Sequence, residues 1–268
     1  MGLLQAVSDK GKLRENNEDY AFCTIHPKDE NIRLLLVADG MGGKSAGDIA
    51  SQEIAADIEA WFYHEDIEIL RNIEKIGEVL TQRIKKFNKY LIEKYGKNYL
   101  GTTLTMAITG KDKTLLFNIG DSRGYLYKNK KLIQVTEDDS GVWTYYKNKE
   151  VSKDDLRFFP TNNYITACVG LAEELCVSRC YVVDNDYDCL LLLTDGVTDI
   201  LADSDIKKII DKSEKRDILK KIILEAVNGN EKIKVPLILK SKFDCKFSVP
   251  VYGRDNASGV IFIKNWFI

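Results

Sequence analysis

The sequence predicts an α+β fold, mostly antiparallel, with its helices segregated from its strands. Three observations carry this expectation. Strand-like segments fill the first forty residues, and two long helical patterns then follow one another. Strands return after them, and a second helical pair precedes one final strand. The alternating βαβ units of a doubly wound parallel sheet do not occur.

The elements run in order as follows. LLQAVSD, DYAFCTI and NIRLLLVAD read as strands separated by charged or turn-forming residues. From Ala46 the period changes, and Ala46, Ala50, Ile54, Ile58 and Trp61 recur every three or four residues as one helix face. Leu70, Ile73, Ile76, Leu80, Ile84, Phe87 and Leu91 form the stripe of a second long helix. In TTLTMAIT, Leu104, Met106 and Ile108 alternate with Thr103, Thr105 and Thr109, the pattern of a half-buried strand. TLLFNIGDSRGYLYKNKKLIQVT predicts two or three strands with turns at Gly120-Asp121 and Asn129-Lys130. Residues 137–170 are polar and carry Pro160, which predicts a long irregular excursion. LCVSRCYVV and DCLLLLTDG follow as strands, Ser204 to Val227 as two helical segments, and SGVIFIKNW as the last strand.

Composition narrows the function. The 268 residues are 44% hydrophobic and 30% charged, the balance of an ordinary soluble globular chain. Thirty-nine basic and 41 acidic residues nearly cancel, so no field for nucleic acid is expected. No stretch approaches the roughly 20 apolar residues of a membrane span. MGLLQA lacks both a secretory core and, with Ala6, the hydroxyl of a myristoylation site. The six cysteines form no C-x-x-C pair, and Cys176 and Cys180 on one strand would lie about 13 Å apart, too far for a disulfide. Reduced thiols in a cytoplasmic monomer are expected. With only His26 and His64, a histidine zinc site or a histidine triad is excluded.

Gly43-Lys44-Ser45 in LLLVADGMGGKSAG imitates the end of a nucleotide P-loop. Ala38 stands where that motif needs its first glycine, and Asp39 would face the phosphates, so this reading fails. The carboxylate is the informative residue. LLLVADG has a near twin in LLLLTDG, and further acids flank apolar strands at Asp121 and Asp255. A single Asp-Gly reads as a turn. Several carboxylates abutting the most apolar strands are costly unless paired or metal-bound. In RENNEDY, Arg14 lies four residues before Glu18. If a strand begins there, Glu18 and Asp19 point to opposite faces and at most one joins a common site.

RENNED (14–19), VADGMGGKSAGDIAS (37–51), LGTTLTMAIT (100–109), NIGDSRGYLY (118–127), LLLLTDGVTD (190–199) and GRDNASGVIFI (253–263) occur in this order. Together they resemble the metal-dependent serine/threonine protein phosphatases of the type 2C class (PPM family), bacterial branch. The resemblance implies one catalytic domain over 1–268, a four-layer α/β/β/α sandwich. Its two central antiparallel sheets would be flanked by antiparallel helix pairs, at 44–63 and 66–95 on one face and within 204–228 on the other. It also implies that Asp39 bridges two divalent ions. Asp195 and Asp255 would complete the first, Glu18 and the Gly40 carbonyl the second, and Asp121 with Asp195 a weaker third. Arg14 would grip the substrate phosphate, and Asn256 would support the ligands. An all-oxygen set suits Mn²⁺ or Mg²⁺. The implied reaction is hydrolysis of phosphoserine and phosphothreonine by a metal-bridging water or hydroxide, without a covalent intermediate, on phosphoproteins made by a Ser/Thr kinase. A binding module that has lost catalysis is the alternative; absence of Asp39 or Asp255 would mark it, and both are present.

The chain departs from the family pattern at Lys44, Asp48 and Asp139, and Met41 leaves the leaving-group acid unassigned. Residues 137–170 correspond to the family's flap beside the active site. Residues 230–252 are an insertion, in which VPLILKSK and CKFSVPVY are expected to pair as a hairpin. It is either a tolerated surface insertion or a docking or gating element, since it leads into Asp255.

Overall fold

The computed structural model describes residues 2–42, 46–161, 164–172, 179–231 and 233–264. Its strands are β1 (Leu3–Asp9), β2 (Asp19–His26), β3 (Asp29–Gly42), β4 (Leu100–Thr102), β5 (Leu104–Thr109) and β6 (Lys113–Ile119). They continue with β7 (Arg123–Lys128), β8 (Lys131–Gln134), β9 (Arg179–Asp184), β10 (Cys189–Leu193) and β11 (Ala257–Ile263). The helices are α1 (Gly47–His64), α2 (Ile67–Arg71), α3 (Ile73–Tyr95), α4 (Trp143–Lys147), α5 (Asp195–Thr198), α6 (Asp203–Lys212), α7 (Ile218–Asn228) and α8 (Leu237–Lys242).

Two antiparallel sheets form the centre. One runs β1-β11-β10-β7-β8, the other β2-β3-β5-β6-β9 with β4 on β3. The alternation of β3 shows how the layers arise. Leu34 and Leu36 face the helices, packing with Ile54, Ile58, Leu80 and Ile84. Leu35 and Val37 face the other sheet, packing with Leu190, Leu192 and Val260. Both faces are therefore dry, and LLLVA reads as an unbroken apolar run. Each leucine so buried contributes ~2 kcal/mol. On the far side, Leu191, Leu193 and Ile261 pack against Ile206, Leu219 and Ile222 of α6 and α7. The result is the expected four-layer α+β sandwich.

Several local expectations are corrected. The threonine face of β5 is not solvated: Thr103, Thr105 and Thr109 are at most 1% exposed. Sandwiching makes that face internal, and the hydroxyls find partners inside, as where Thr109 donates to the Asn31 carbonyl at 2.8 Å. The second long helix is divided at Asn72, whose ψ of 85° leaves the helical region and whose side chain accepts the Lys75 N–H. A helix-capping side chain thus ends α2 and starts α3. Gly40 does not begin a turn, because β3 runs on to Gly42 by taking β4 as partner.

Among its described residues the insertion forms no hairpin. Its first half carries α8, and its second half forms no strand; there the Ser248 N–H donates to the Phe158 carbonyl at 2.8 Å. Its apolar residues have a better partner than each other: Leu239, Phe243 and Phe247 pack with Trp143, Tyr145 and Phe159 of the excursion 137–170. That excursion is itself less irregular than expected, carrying α4 and a 3-10 turn at Lys153–Phe158. Lys44 and its neighbours Gly43 and Ser45, the start of the strand expected at 175–183 including Cys176, and Trp266 lie outside the described residues. Among the described residues no helix is long and apolar enough to cross a membrane.

Candidate active site

Strand ends bring the acids together. Asp39 lies where β3 exchanges β5 for β4: Val37 pairs with Thr105 and Gly40 with Thr102. Its backbone is held from both sides, its N–H donating to Thr103 Oγ1 and its carbonyl accepting the Thr103 N–H, each at 2.9 Å. Gly40 must be glycine, since a Cβ there would meet the Gly47 carbonyl oxygen at 2.0 Å. That close approach presses the Gly40 backbone against the start of α1.

The Arg14–Glu18 loop is fixed by a residue from the far end of the chain. Buried Asn256 accepts the Glu18 N–H at 2.9 Å and donates to the carbonyls of Lys10 (2.9 Å) and Asn16 (3.0 Å). The Glu18 carbonyl in turn accepts the Gly40 N–H at 3.1 Å and the Ser51 hydroxyl at 2.6 Å. Arg14, with its side chain 47% exposed, bonds Asp255 at 2.7 Å and approaches Glu18 at 3.9 Å. Asp195 opens α5, beside Gly196, where a Cβ would meet the Asn256 carbonyl oxygen at 1.8 Å. Asp121 follows β6 and is 6% exposed.

These carboxyls are electrostatically one group. Burial first, then the charge of Asp255, pushes Asp195 up to about 6. Burial, then the charges of Asp195 and Asp19, raises Asp39 well above the carboxylate range. A hydrogen bond between the two carboxyls raises Asp39 further and lowers Asp195. Asp121 is raised by burial and by Asp195. Among the described residues, no three acid, histidine or cysteine side chains are already gathered round one point. Yet Asp195 and Asp121 each retain a buried carboxyl oxygen with no hydrogen-bond partner. Unpartnered buried oxygens, mutually repelling carboxyls and an all-oxygen donor set fit a hard divalent cation, which would satisfy the oxygens and offset the repulsion.

Sequence reasoning missed two acids. Glu18 precedes β2, so strand alternation does not separate it from Asp19, and both border the site. Asp19 accepts the Thr194 hydroxyl at 2.9 Å, and burial, with the charge of Asp195, lifts it to about 7. Asp199 ends the turn that Asp195 begins and is raised by burial and by Asp195. Its signal was present in TDGVTD, since a four-residue spacing puts two acids on one helix side. Behind them the buried pair Arg123–Asp138, at 2.7 Å, is internally neutral. Asp139 accepts the Gly120 N–H at 3.0 Å and pairs with Arg179, a structural task.

Comparison with known proteins places the fold in a family. The protein phosphatase 2C family model matches residues 12–224. The serine/threonine phosphatase stp of Listeria welshimeri is 34% identical over 221 residues, 79% of this chain and 85% of that protein. The crystal structure of serine/threonine phosphatase Stp1 from Staphylococcus aureus aligns with a TM-score of 0.81 at 25% identity, over 99% of this chain and 96% of that one. The catalytic domain of the serine threonine protein phosphatase PstP, solved in complex with two manganese ions, shares the fold at a TM-score of 0.73 and 24% identity, over 98% and 97% of the two chains. The chain belongs to the protein phosphatase 2C family.

Proposed function

We propose that this chain is a protein serine/threonine phosphatase working with two Mn²⁺ or Mg²⁺ ions, and that 1–268 form one catalytic domain. The observation that carries the reading is the set of coupled, partly unsatisfied carboxyls at the strand ends, with exposed Arg14 beside them. In this reading Asp39 bridges the ions, Asp195 and Asp255 complete one, and Glu18 with the Gly40 carbonyl completes the other. Asp121 and Asp195 form a weaker third site. Manganese is supported by the PstP structure, which holds two such ions.

Bound there, the ions supply an acidified water and a positive frame for phosphate oxygens. The chain's own residues bind and orient. Arg14 offers a planar fork to two phosphate oxygens, leaving Asp255 free for metal. Asn256 holds the loop that carries both Arg14 and Glu18. In this reading water attacks phosphorus directly, without a covalent phosphoenzyme; the Cys23 and Cys168 thiols, pushed up to about 11 by burial, are poor candidates for a nucleophile. The substrates are phosphoproteins made by a serine/threonine kinase, and the working species is a cytoplasmic monomer. Free Cys23, Cys168, Cys180, Cys189 and Cys245 are in keeping with a reducing compartment.

The test is hydrolysis of p-nitrophenyl phosphate and of phosphoserine and phosphothreonine peptides with Mn²⁺, with chelator, and in Asp39→Asn. Turnover that needs metal and Asp39 is expected. Activity that survives chelation would sink the metal-dependent reading, and no activity on any substrate would make the chain a binding module.

A further inference from the structure

The insertion continues past its contact with the flap. Anchored by Phe247 against Phe159, with ring centroids 5.4 Å apart, residues 246–251 form one wall of a cavity of about 410 Å³. Arg157 and Pro160 also line it, as do Asp195 and Asp255. This pocket therefore opens directly onto the proposed phosphate site.

Its charges are unusual. Arg157, Lys246 and Arg254 line it together with the aspartates of the proposed metal site and its neighbour, Asp195, Asp255 and Asp199, and among the described residues none of the three cations forms an ion pair with a carboxylate. Arg157 donates Nη1 to the Ile200 carbonyl at 2.6 Å, while its buried Nε has no partner. Val249, Pro250 and Ile200 supply apolar wall between the cations. With Asp195 and Asp255 given to the proposed ions, cations that no carboxylate pairs, set among apolar surface and bordering a site that takes a phosphorylated side chain, are complementary to an acidic peptide. Extended peptide advances about 3.3–3.6 Å per residue, so the occupant lies about one to three residues from the phosphate.

We propose that this cavity is a substrate subsite, with the insertion as its wall, and that it selects an aspartate or glutamate side chain next to the phosphorylated residue. The proposal rests on the phosphatase reading above and assigns that site a sequence preference. Lys246 is exposed and lies in the insertion, nine residues from the proposed metal ligand Asp255, so changing it tests the subsite without altering a proposed ligand.

Two phosphothreonine peptides decide it, identical except that the three residues on each side of the phosphothreonine carry glutamates in one and glutamines in the other. The Mn²⁺ protein is expected to show about fivefold higher kcat/KM for the glutamate peptide, expressed in KM and diminishing with added salt. Lys246→Glu should reverse the order and Lys246→Arg should keep it, each ratio taken within one variant. Fluorescence anisotropy with labelled peptides and chelated wild-type protein supplies a readout free of turnover, and the glutamate peptide should bind more tightly. Equal kcat/KM and equal binding of the two peptides by wild-type protein would overturn the subsite, as would a glutamate preference unchanged in Lys246→Glu. Failure to hydrolyse p-nitrophenyl phosphate or either peptide would instead defeat the phosphatase reading, and the anisotropy comparison would still decide the subsite.

Discussion

The N–H of Glu18 is bonded to the side-chain carbonyl of Asn256 at 2.9 Å across 238 positions of sequence. One side chain thereby ties the start of the chain to the strand that ends it. Asn256→Ala would remove the hydrogen bonds to that N–H and to the Lys10 and Asn16 carbonyls. It is expected to lower unfolding stability by about 2 kcal/mol and to raise the Mn²⁺ concentration for half-maximal activity about tenfold. Urea denaturation and a Mn²⁺ titration measure the two effects. Loss of stability with an unchanged Mn²⁺ requirement would show that the clamp does not organise the ligands.

Arg14→Lys retains the charge and removes the fork. About a tenfold loss of kcat/KM is expected, carried mainly by KM for phosphopeptides. Steady-state kinetics with Mn²⁺ held saturating tests it. A variant indistinguishable from wild type would mean that Arg14 serves only to pair with Asp255.

Gly40→Ala places a methyl carbon where the Gly47 carbonyl oxygen already stands, 2.0 Å away. Strand and helix must separate to admit it, at a cost of ~2 kcal/mol or more. Thermal unfolding should show the loss even under chelation, because the clash is independent of any ion. A Tm equal to wild type would contradict it.

Without metal, acidity should stabilise this protein. Asp195 titrates at about 6 and Asp19 at about 7, both raised chiefly by burial. Each binds its proton more tightly folded than unfolded, where a carboxyl titrates at about 3.9. Their contribution is fully present below about pH 4 and disappears as pH rises through 6 to 7. In chelator, Tm should therefore fall between pH 5 and 7.5, Asp195→Asn should flatten that slope, and Mn²⁺ at pH 7.5 should raise Tm. A wild-type profile with no such slope would refute the coupled arrangement.

Most of the sandwich was legible because its period signals are strong: the stripe from Leu70 to Leu91 and the apolar runs ending at Asp39 and Asp195 could only be buried. Asp39, Asp121, Asp195 and Asp255 were also legible as acids abutting apolar strands, whereas Glu18 and the Gly40 carbonyl entered only through the family resemblance. What sequence hid depends on partners supplied by distant segments. The dryness of Thr103, Thr105 and Thr109 comes from the second sheet. The continuation of β3 past Gly40 comes from β4, about sixty residues later, and Asn72 acts as a cap by a local competition that a long apolar stripe obscures. The insertion misled because Leu239, Phe243 and Phe247 look like hairpin residues until the aromatic face of the flap is in place.

The change of partner along β3 also bears on how the protein comes apart. Asp39 is bonded at its N–H and at its carbonyl to Thr103, the hinge residue between β4 and β5, within the most deeply packed sheet. Freeing it requires the central strands to part, which is unfolding of the whole molecule and not fraying of a loop. Cation held at Asp39 would therefore be released mainly by detachment from an intact protein, and its binding energy would add in full to global stability. Amide exchange at Asp39 and Thr103 should then slow on adding Mn²⁺ by the same factor as global unfolding.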